Sequence, residues 1–303
     1  MPDHKLKPVP IRQQPPELPP FQAAHSNDRP DRYIIPSTER FVRAQLARHY
    51  LAPLRATQPA RFAIVVGPPG ATKSSDIKTA VSRAGADLVE TCGGTFAGST
   101  EGGAAAALDT TLADIERIRA ARRLPIALQI DDGDLSAFAD REHTEYAVSR
   151  DVLLGRLQKF ADNVCDGEPL PVFVTLNEST VFRPSLFRPG RAVWHVHNPT
   201  LEEKARQLVA LYGATTDTDG RLIADLLTRH PDKQIAHFAA SRTAAVDAVI
   251  TDVIDELGIT SRLAAEEVEQ RIAALTVADF VRAAETQVEI AASYLSPTST
   301  PGA

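Results

Sequence analysis

The sequence predicts an α/β domain with a parallel sheet flanked by helices, followed by a smaller all-α domain. Five short runs, most of them apolar, have the length of strands; they lie at residues 61–66, 87–91, 124–130, 171–176 and 192–196. Helical patterns at 74–84, 104–122 and 147–164 separate the first four runs, and another at 38–50 precedes them. Strands that alternate with helices indicate a parallel sheet covered on both faces.

The strand pattern stops after residue 198, and helices are then expected at 201–212, 219–229, 233–257 and 264–294. We therefore place the α/β domain at 31–198 and the helical domain at 199–295. Residues 1–30 are rich in proline, which opposes regular helix, and predict a disordered arm. Residues 296–303 are a short polar tail, and Ser37 or Thr38 is the expected cap of the first helix.

Composition excludes several classes of function. The chain has 303 residues and a net charge of −6, which disfavours a general nucleic-acid binder. Its two cysteines provide neither a disulfide framework nor a metal-type spacing. No stretch approaches the ~20 apolar residues that span a membrane, and the charged, proline-rich start does not resemble a signal peptide. We expect a cytoplasmic protein.

A glycine-containing loop lies directly between the first predicted strand and the next helix. It comprises Gly67, Pro68, Pro69, Gly70, Ala71, Thr72, Lys73 and Ser74, and Ser75 follows it. This context is typical of a phosphate-binding loop, in which backbone N–H groups and a helix N-terminus face phosphate oxygens. Lys73 is expected to reach the outer phosphates of ATP and Ser74 to ligate Mg²⁺. Thr72 stands where such loops usually have a second glycine, and its branched side chain predicts weaker binding.

Acidic and amide side chains follow two later strands. Asp131 and Asp132 end the third predicted strand, and together with the lysine loop they indicate a magnesium site. We expect Asp131 to hold Mg²⁺, directly or through water, and Asp132 to orient the attacking water. Asp134 is a further candidate acid on the metal side of the site. Asn177 follows the fourth strand, where its side chain can reach the γ-phosphate and hold that water.

These motifs, together with the Arg188-Pro-Gly-Arg191 turn, resemble the AAA+ ATPases, and several stretches resemble the Rubisco activase family in particular. The activase-like stretches lie at 33–36, 161–163, 172–191, 230–242 and 291–295. The resemblance implies a P-loop NTPase sheet followed by an AAA+ lid, assembled into a hexameric ring. It implies that Arg188 and Arg191 act on the ATP of the neighbouring subunit and that Arg242 contacts the phosphates. It also places Phe96, in the glycine-rich stretch 93–103, in a central pore loop that grips a client.

The predicted function is an ATPase that couples hydrolysis to remodelling of a client protein, as a chaperone does, with Rubisco or another protein complex as the client. Two alternatives remain open. Thr72 and the short Asp132, at a position where many AAA+ proteins have glutamate, favour a ring or filament scaffold that binds ATP and hydrolyses it slowly. A DNA-handling AAA+ motor is disfavoured by the acidic charge and by the lack of a DNA-binding motif.

Overall fold

The computed structural model describes residues 33–96, 103–133, 147–162, 168–177, 188–259 and 262–295. It divides into an α/β unit, within Arg32–Pro199 and Gln234–Ala236, and a helical unit, within Thr200–Lys233 and His237–Ala303. The arm predicted at 1–30, the tail at 296–303 and Asp134 lie outside the described residues.

The α/β unit contains a five-stranded parallel sheet in the order β2-β3-β4-β1-β5. The strands are β1 (Phe62–Val66), β2 (Asp87–Cys92), β3 (Ile126–Asp131), β4 (Val172–Leu176) and β5 (Ala192–Val196). This topology confirms the predicted fold class. Because the strands are parallel, the loops that follow β1, β3 and β4 emerge at the same edge of the sheet.

Helices cover both faces of this sheet. The unit contains α1 (Pro36–Tyr50), α2 (Ala52–Arg55), α3 (Lys73–Arg83), α4 (Gly103–Arg122) and α5 (Ala147–Asp162). Successive strand residues point to opposite faces, so Ile64 joins a core with α4 and α5 while Val65 joins a core with α1 and α3. The core with α1 and α3 fixes α3, and with it the loop that precedes it, against the middle of the sheet.

The start of α1 differs from the prediction that Ser37 or Thr38 caps it. The helix begins at Pro36, after Ile35 in an extended conformation, and no side chain caps it. Proline suits the first helical position because its fixed φ matches the helix and its missing N–H needs no partner there. Thr38 is therefore the third residue of the helix and is fully buried.

His49, near the end of α1, is buried in the α/β unit and only 1% exposed. Its Nδ1 donates a hydrogen bond to the carbonyl oxygen of Gln45 at 2.9 Å. Burial lowers the pKa of His49 from 6.5 to about 4, against a smaller opposing effect of that hydrogen bond. The folded protein therefore holds His49 neutral at pH 7.

The helical unit comprises α6 (Leu201–Tyr212), α7 (Asp217–Arg229), α8 (Ile235–Leu257), α9 (Arg262–Ala273) and α10 (Val277–Leu295). Reciprocal capping boxes begin α6 at Thr200 with Glu203 and α7 at Thr216 with Asp219. The capping explains why α7 starts two residues before the predicted position. None of the helices in the described ranges is long and apolar enough to cross a membrane.

Candidate nucleotide-binding site

The loop between β1 and α3 is held at the edge of the sheet by its neighbours. The Gly67 N–H donates to the carbonyl oxygen of Leu176, at the end of β4, at 3.1 Å. A Cβ at position 67 would lie 2.0 Å from the carbonyl oxygen of His197, just after β5. Only glycine permits this approach, so Gly67 lets the loop leave β1 between two neighbouring strands.

Thr72 adopts a left-handed backbone conformation with φ of 74° at the start of α3. Glycine reaches this region freely, whereas a residue with a Cβ pays about 1–2 kcal/mol, and β-branched residues occur there least. The Thr72 side chain makes no capping hydrogen bond to α3 that would offset this cost. The loop thus keeps the backbone that a glycine would favour, although threonine occupies the position.

The ammonium group of Lys73 connects the loop to the end of β4. Its Nζ donates to the carbonyl oxygens of Gly67 and Pro68 and to Oδ1 of Asn177, each at 2.9 Å. Lys73 is 6% exposed, so the charge is largely withdrawn from water and directed into the loop. The lysine predicted to reach the phosphates and the asparagine predicted to sense them therefore lie side by side.

Asp131, at the end of β3, accepts hydrogen bonds at Oδ1 from the hydroxyl groups of Ser74 and Thr175. Thr175 also accepts from the backbone N–H of Asp132 at 3.1 Å, and Asn177 Nδ2 lies 3.4 Å from Asp132 Oδ1. The predicted residues Ser74, Asp131, Asp132 and Asn177 thus form one network with Lys73.

Thr175 belongs to this network, but the sequence reasoning missed it. The residue is fully buried in β4, and its hydroxyl bridges Asp131 and the Asp132 backbone. The available signal was a hydroxyl residue in an otherwise apolar strand, two positions before Asn177.

The oxygen atoms in this network fit a magnesium ion that is bound together with a nucleotide. Mg²⁺ prefers carboxylate and hydroxyl oxygens and commonly takes one or two protein ligands plus phosphates and water. Ser74 and Asp131 supply such oxygens next to the phosphate loop. Within the described residues there is no group of three or more His, Cys, Asp or Glu that could hold a metal by itself.

Arg188 and Arg191, the two arginines predicted to act on the ATP of a neighbouring subunit, differ in their surroundings. Arg191 forms a two-pronged ion pair with Asp162 at the end of α5, with contacts of 2.7 and 2.6 Å. A hydrogen bond from Arg191 lowers the pKa of Asp162. Arg188 is exposed at the surface of the α/β unit. Arg191 is therefore engaged within its own subunit, while Arg188 presents its charge to solvent.

Two other predicted residues have different surroundings, each within its own unit. Arg242 is in α8 of the helical unit, where its guanidinium lies 5.9 Å from the centre of the Phe280 ring. Phe96 ends a short 3₁₀ helix, Gly93–Phe96, and is only 1% exposed because it packs in the core with α4. This burial argues against the predicted pore-loop role, since a side chain inside the core has no surface with which to grip a client. Residues 97–102 of that glycine-rich stretch lie outside the described residues.

Comparison with known families supports this interpretation of the site. Residues 63–200 match the family described as the ATPase family associated with various cellular activities (AAA). The match runs from β1 to the residue that caps α6, and it includes the phosphate loop, both acids, Asn177 and both arginines. A comparison with curated proteins found no match. Residues 63–200 are therefore similar to an AAA domain, and this similarity supports nucleotide binding and ATPase activity.

Proposed function

We propose that the chain is an AAA+ ATPase that uses ATP hydrolysis to remodel a client protein while assembled in a homo-oligomeric ring. The observation that carries the proposal is the network of Lys73, Asn177, Asp131, Ser74 and Asp132. It joins the phosphate loop to the ends of two neighbouring strands. A nucleoside triphosphate and the water that attacks it would bind at this place.

Each residue of the network has a role in this proposal. Lys73 and the backbone N–H groups of Gly70 and of residues 72–75 hold the phosphates. Ser74 and Asp131 would hold Mg²⁺, which neutralises phosphate charge when it is bound. Asn177 and Asp132 orient the water that attacks the γ-phosphorus, and ADP leaves as inorganic phosphate forms. Hydrogen-bonding groups fixed before the reaction stabilise the charge of the transition state without reorganising.

The proposed ring completes the site with residues from two subunits. An exposed arginine next to the ATP of a neighbour can stabilise the transition-state charge. Arg188 suits this role because it is exposed, whereas the Asp162 ion pair makes Arg191 a residue that shapes the turn carrying Arg188. Arg242 from the helical unit contacts the phosphates in the same scheme, and six subunits are the proposed ring size.

The client in this proposal is a protein complex in the cytoplasm, Rubisco or another, and the likeness of several stretches to Rubisco activases is what brings Rubisco into consideration. Thr72 and Asp132 favour a second function, a nucleotide-gated scaffold with slow hydrolysis. Thr72 supports the scaffold because a strained loop residue weakens phosphate binding. Asp132 supports it because the aspartate side chain is one methylene shorter than that of glutamate, which places the attacking water less well and slows hydrolysis.

The test is ATP turnover per subunit measured over a range of protein concentrations. We expect turnover to rise with concentration in the wild type, and to fall to background in Lys73→Ala and Arg188→Ala. Arg117→Ala is the matched control, because Arg117 is an exposed arginine on α4 that pairs with the neighbouring Asp114. Arg188→Ala subunits should also be rescued when mixed with Lys73→Ala subunits, since each supplies what the other lacks.

The outcomes separate the two functions. Turnover that is independent of concentration and insensitive to Arg188→Ala would refute a site shared between subunits. Tight ATP binding with background turnover at every concentration, with and without purified Rubisco, would favour the scaffold.

A further inference from the structure

A chain of hydrogen bonds runs from β5 through α1 to the phosphate loop. Thr38 Oγ1 lies 2.9 Å from His195 Nε2 and 2.8 Å from His197 Nδ1. The other ring nitrogen of His197, Nε2, hydrogen bonds to the carbonyl oxygen of Ala71. Thr38, His197 and Ala71 are each at most 1% exposed, so water does not compete for these bonds.

The direction of each hydrogen bond follows from the last one. A carbonyl oxygen only accepts, so His197 Nε2 carries the proton. In the neutral imidazole, Nδ1 then accepts, and the Thr38 hydroxyl donates to it. The Thr38 oxygen in turn accepts from His195 Nε2, whose ring is stacked on Phe41 with centroids 4.9 Å apart. One consistent set of protons therefore satisfies the whole chain.

The hydrogen bond to the Ala71 carbonyl determines the orientation of the peptide group that joins Ala71 to Thr72. The described residues contain no cis peptide bond, and in a trans peptide the C=O and the following N–H point in opposite directions. Because His197 holds the Ala71 carbonyl on one side of the loop, the Thr72 N–H points to the other side. That N–H belongs to the segment that wraps a phosphate in loops of this kind.

The anchored peptide adjoins the strained residue of the loop. Thr72, with its positive φ, would relax toward a less strained backbone if the preceding peptide could rotate. The buried hydrogen bond from His197 opposes this rotation. Glycine at position 72 would need no such restraint, because it tolerates the left-handed conformation by itself.

We propose that His197, oriented by Thr38, is a positioning residue of the nucleotide site that holds the Ala71–Thr72 peptide with its N–H toward the phosphates. The role rests on the proposed nucleotide binding and extends it to two residues outside the phosphate-loop motif. It explains why a polar group that is buried and far along the sequence reaches the loop.

A matched pair of substitutions tests the donor to Ala71. In His197→Gln the side-chain amide nitrogen replaces Nε2 and can still donate to Ala71. In His197→Asn the amide lies near the position of Nδ1, so it keeps the contact with Thr38 and loses the one with Ala71. We expect the Kd for MgADP, measured by calorimetry on the full chain, to rise about tenfold in His197→Asn and about twofold or less in His197→Gln.

A second pair tests the orienting hydroxyl and remains informative if the His197 variants fold poorly. Thr38→Val removes the hydroxyl with little change in shape, and Thr38→Ser keeps it. We expect Thr38→Val to weaken MgADP binding severalfold, with Thr38→Ser close to the wild type. In Thr72→Gly, the penalty of His197→Asn should shrink, because the restrained residue is no longer strained.

A purely structural role predicts a different pattern. His197→Asn and His197→Gln would then lower the urea midpoint of unfolding while leaving the Kd for MgADP equal in both, and this result would overturn the positioning role alone. If the wild type itself fails to bind MgADP, the proposed nucleotide site falls, and the positioning role falls with it.

Discussion

Replacing Thr72 by glycine should stabilise the α/β unit, although most substitutions destabilise a protein. Thr72 has φ of 74°, which costs a residue with a Cβ about 1–2 kcal/mol. Glycine removes this cost but loses more backbone freedom on folding, which opposes the gain by about 0.5–1 kcal/mol. The Thr72 side chain caps nothing in α3, so no capping bond is lost. We expect a net gain in the free energy of unfolding of about 0.75 kcal/mol, from a difference that spans about 0–1.5 kcal/mol.

Urea unfolding followed by tryptophan fluorescence measures this change. The chain has a single tryptophan, Trp194, and it lies in β5 of the α/β unit, so the signal reports on the unit that contains the loop. Ala71→Gly is the matched control, since Ala71 has no positive φ and is buried. There the added backbone freedom brings no relief of strain, and a loss of about 1 kcal/mol is expected.

Two results would refute the reasoning. If Thr72→Gly lowers the urea midpoint as much as Ala71→Gly does, Thr72 is not strained in solution. If Thr72→Gly raises stability but weakens MgADP binding more than tenfold, the threonine side chain itself contributes to the site.

Three further changes have expected outcomes. Phe96→Ala should cost about 3–5 kcal/mol of unfolding free energy, because it empties a core position; no change in the urea midpoint would restore an exposed role for Phe96. Thr175→Val should lower kcat about tenfold, with Thr175→Ser near the wild type, because the bridge between Asp131 and the Asp132 backbone is lost; equal kcat in both variants would refute the bridge. The folded pKa of His49, about 4, lies below its unfolded value of 6.5, so the unfolded state binds the extra proton. The stability that neutral His49 contributes is complete above pH 6.5, and about 3 kcal/mol of it is lost as the pH falls to 4. His49→Asn has no imidazole to protonate, so its free energy of unfolding, measured with urea at each pH, should fall less over that range.

The local patterns of the sequence were sufficient for the elements and for most of the site. Five short runs predicted five strands, and each strand lies within about two residues of its predicted bounds. The loop at 67–74 was predictable because its residues are contiguous and lie between a strand and a helix. Asp131, Asp132 and Asn177 were predictable because parallel strands end at one edge of the sheet, where the loops of β1, β3 and β4 converge.

Other features depend on partners that are far apart in the chain. The Thr38 hydroxyl meets two histidines 157 and 159 residues away, so a pattern typical of a helix cap concealed a buried connection. Arg191 looked equivalent to Arg188 until the fold brought Asp162 to it. Phe96 follows a glycine-rich pattern that is typical of an exposed loop, yet its side chain packs on α4.

The sequence by itself thus determined the succession of strands and helices along the chain, the phosphate loop and the polar residues at the strand ends. Each of these depends on hydrophobic periodicity or on neighbours within a few residues. Only the tertiary structure decided that Thr72 has a left-handed backbone, that Thr175 bridges the two acids and that His197 holds the loop. Those features arise when a buried polar group must find a hydrogen-bond partner, and packing, rather than local sequence, determines which partner is in reach.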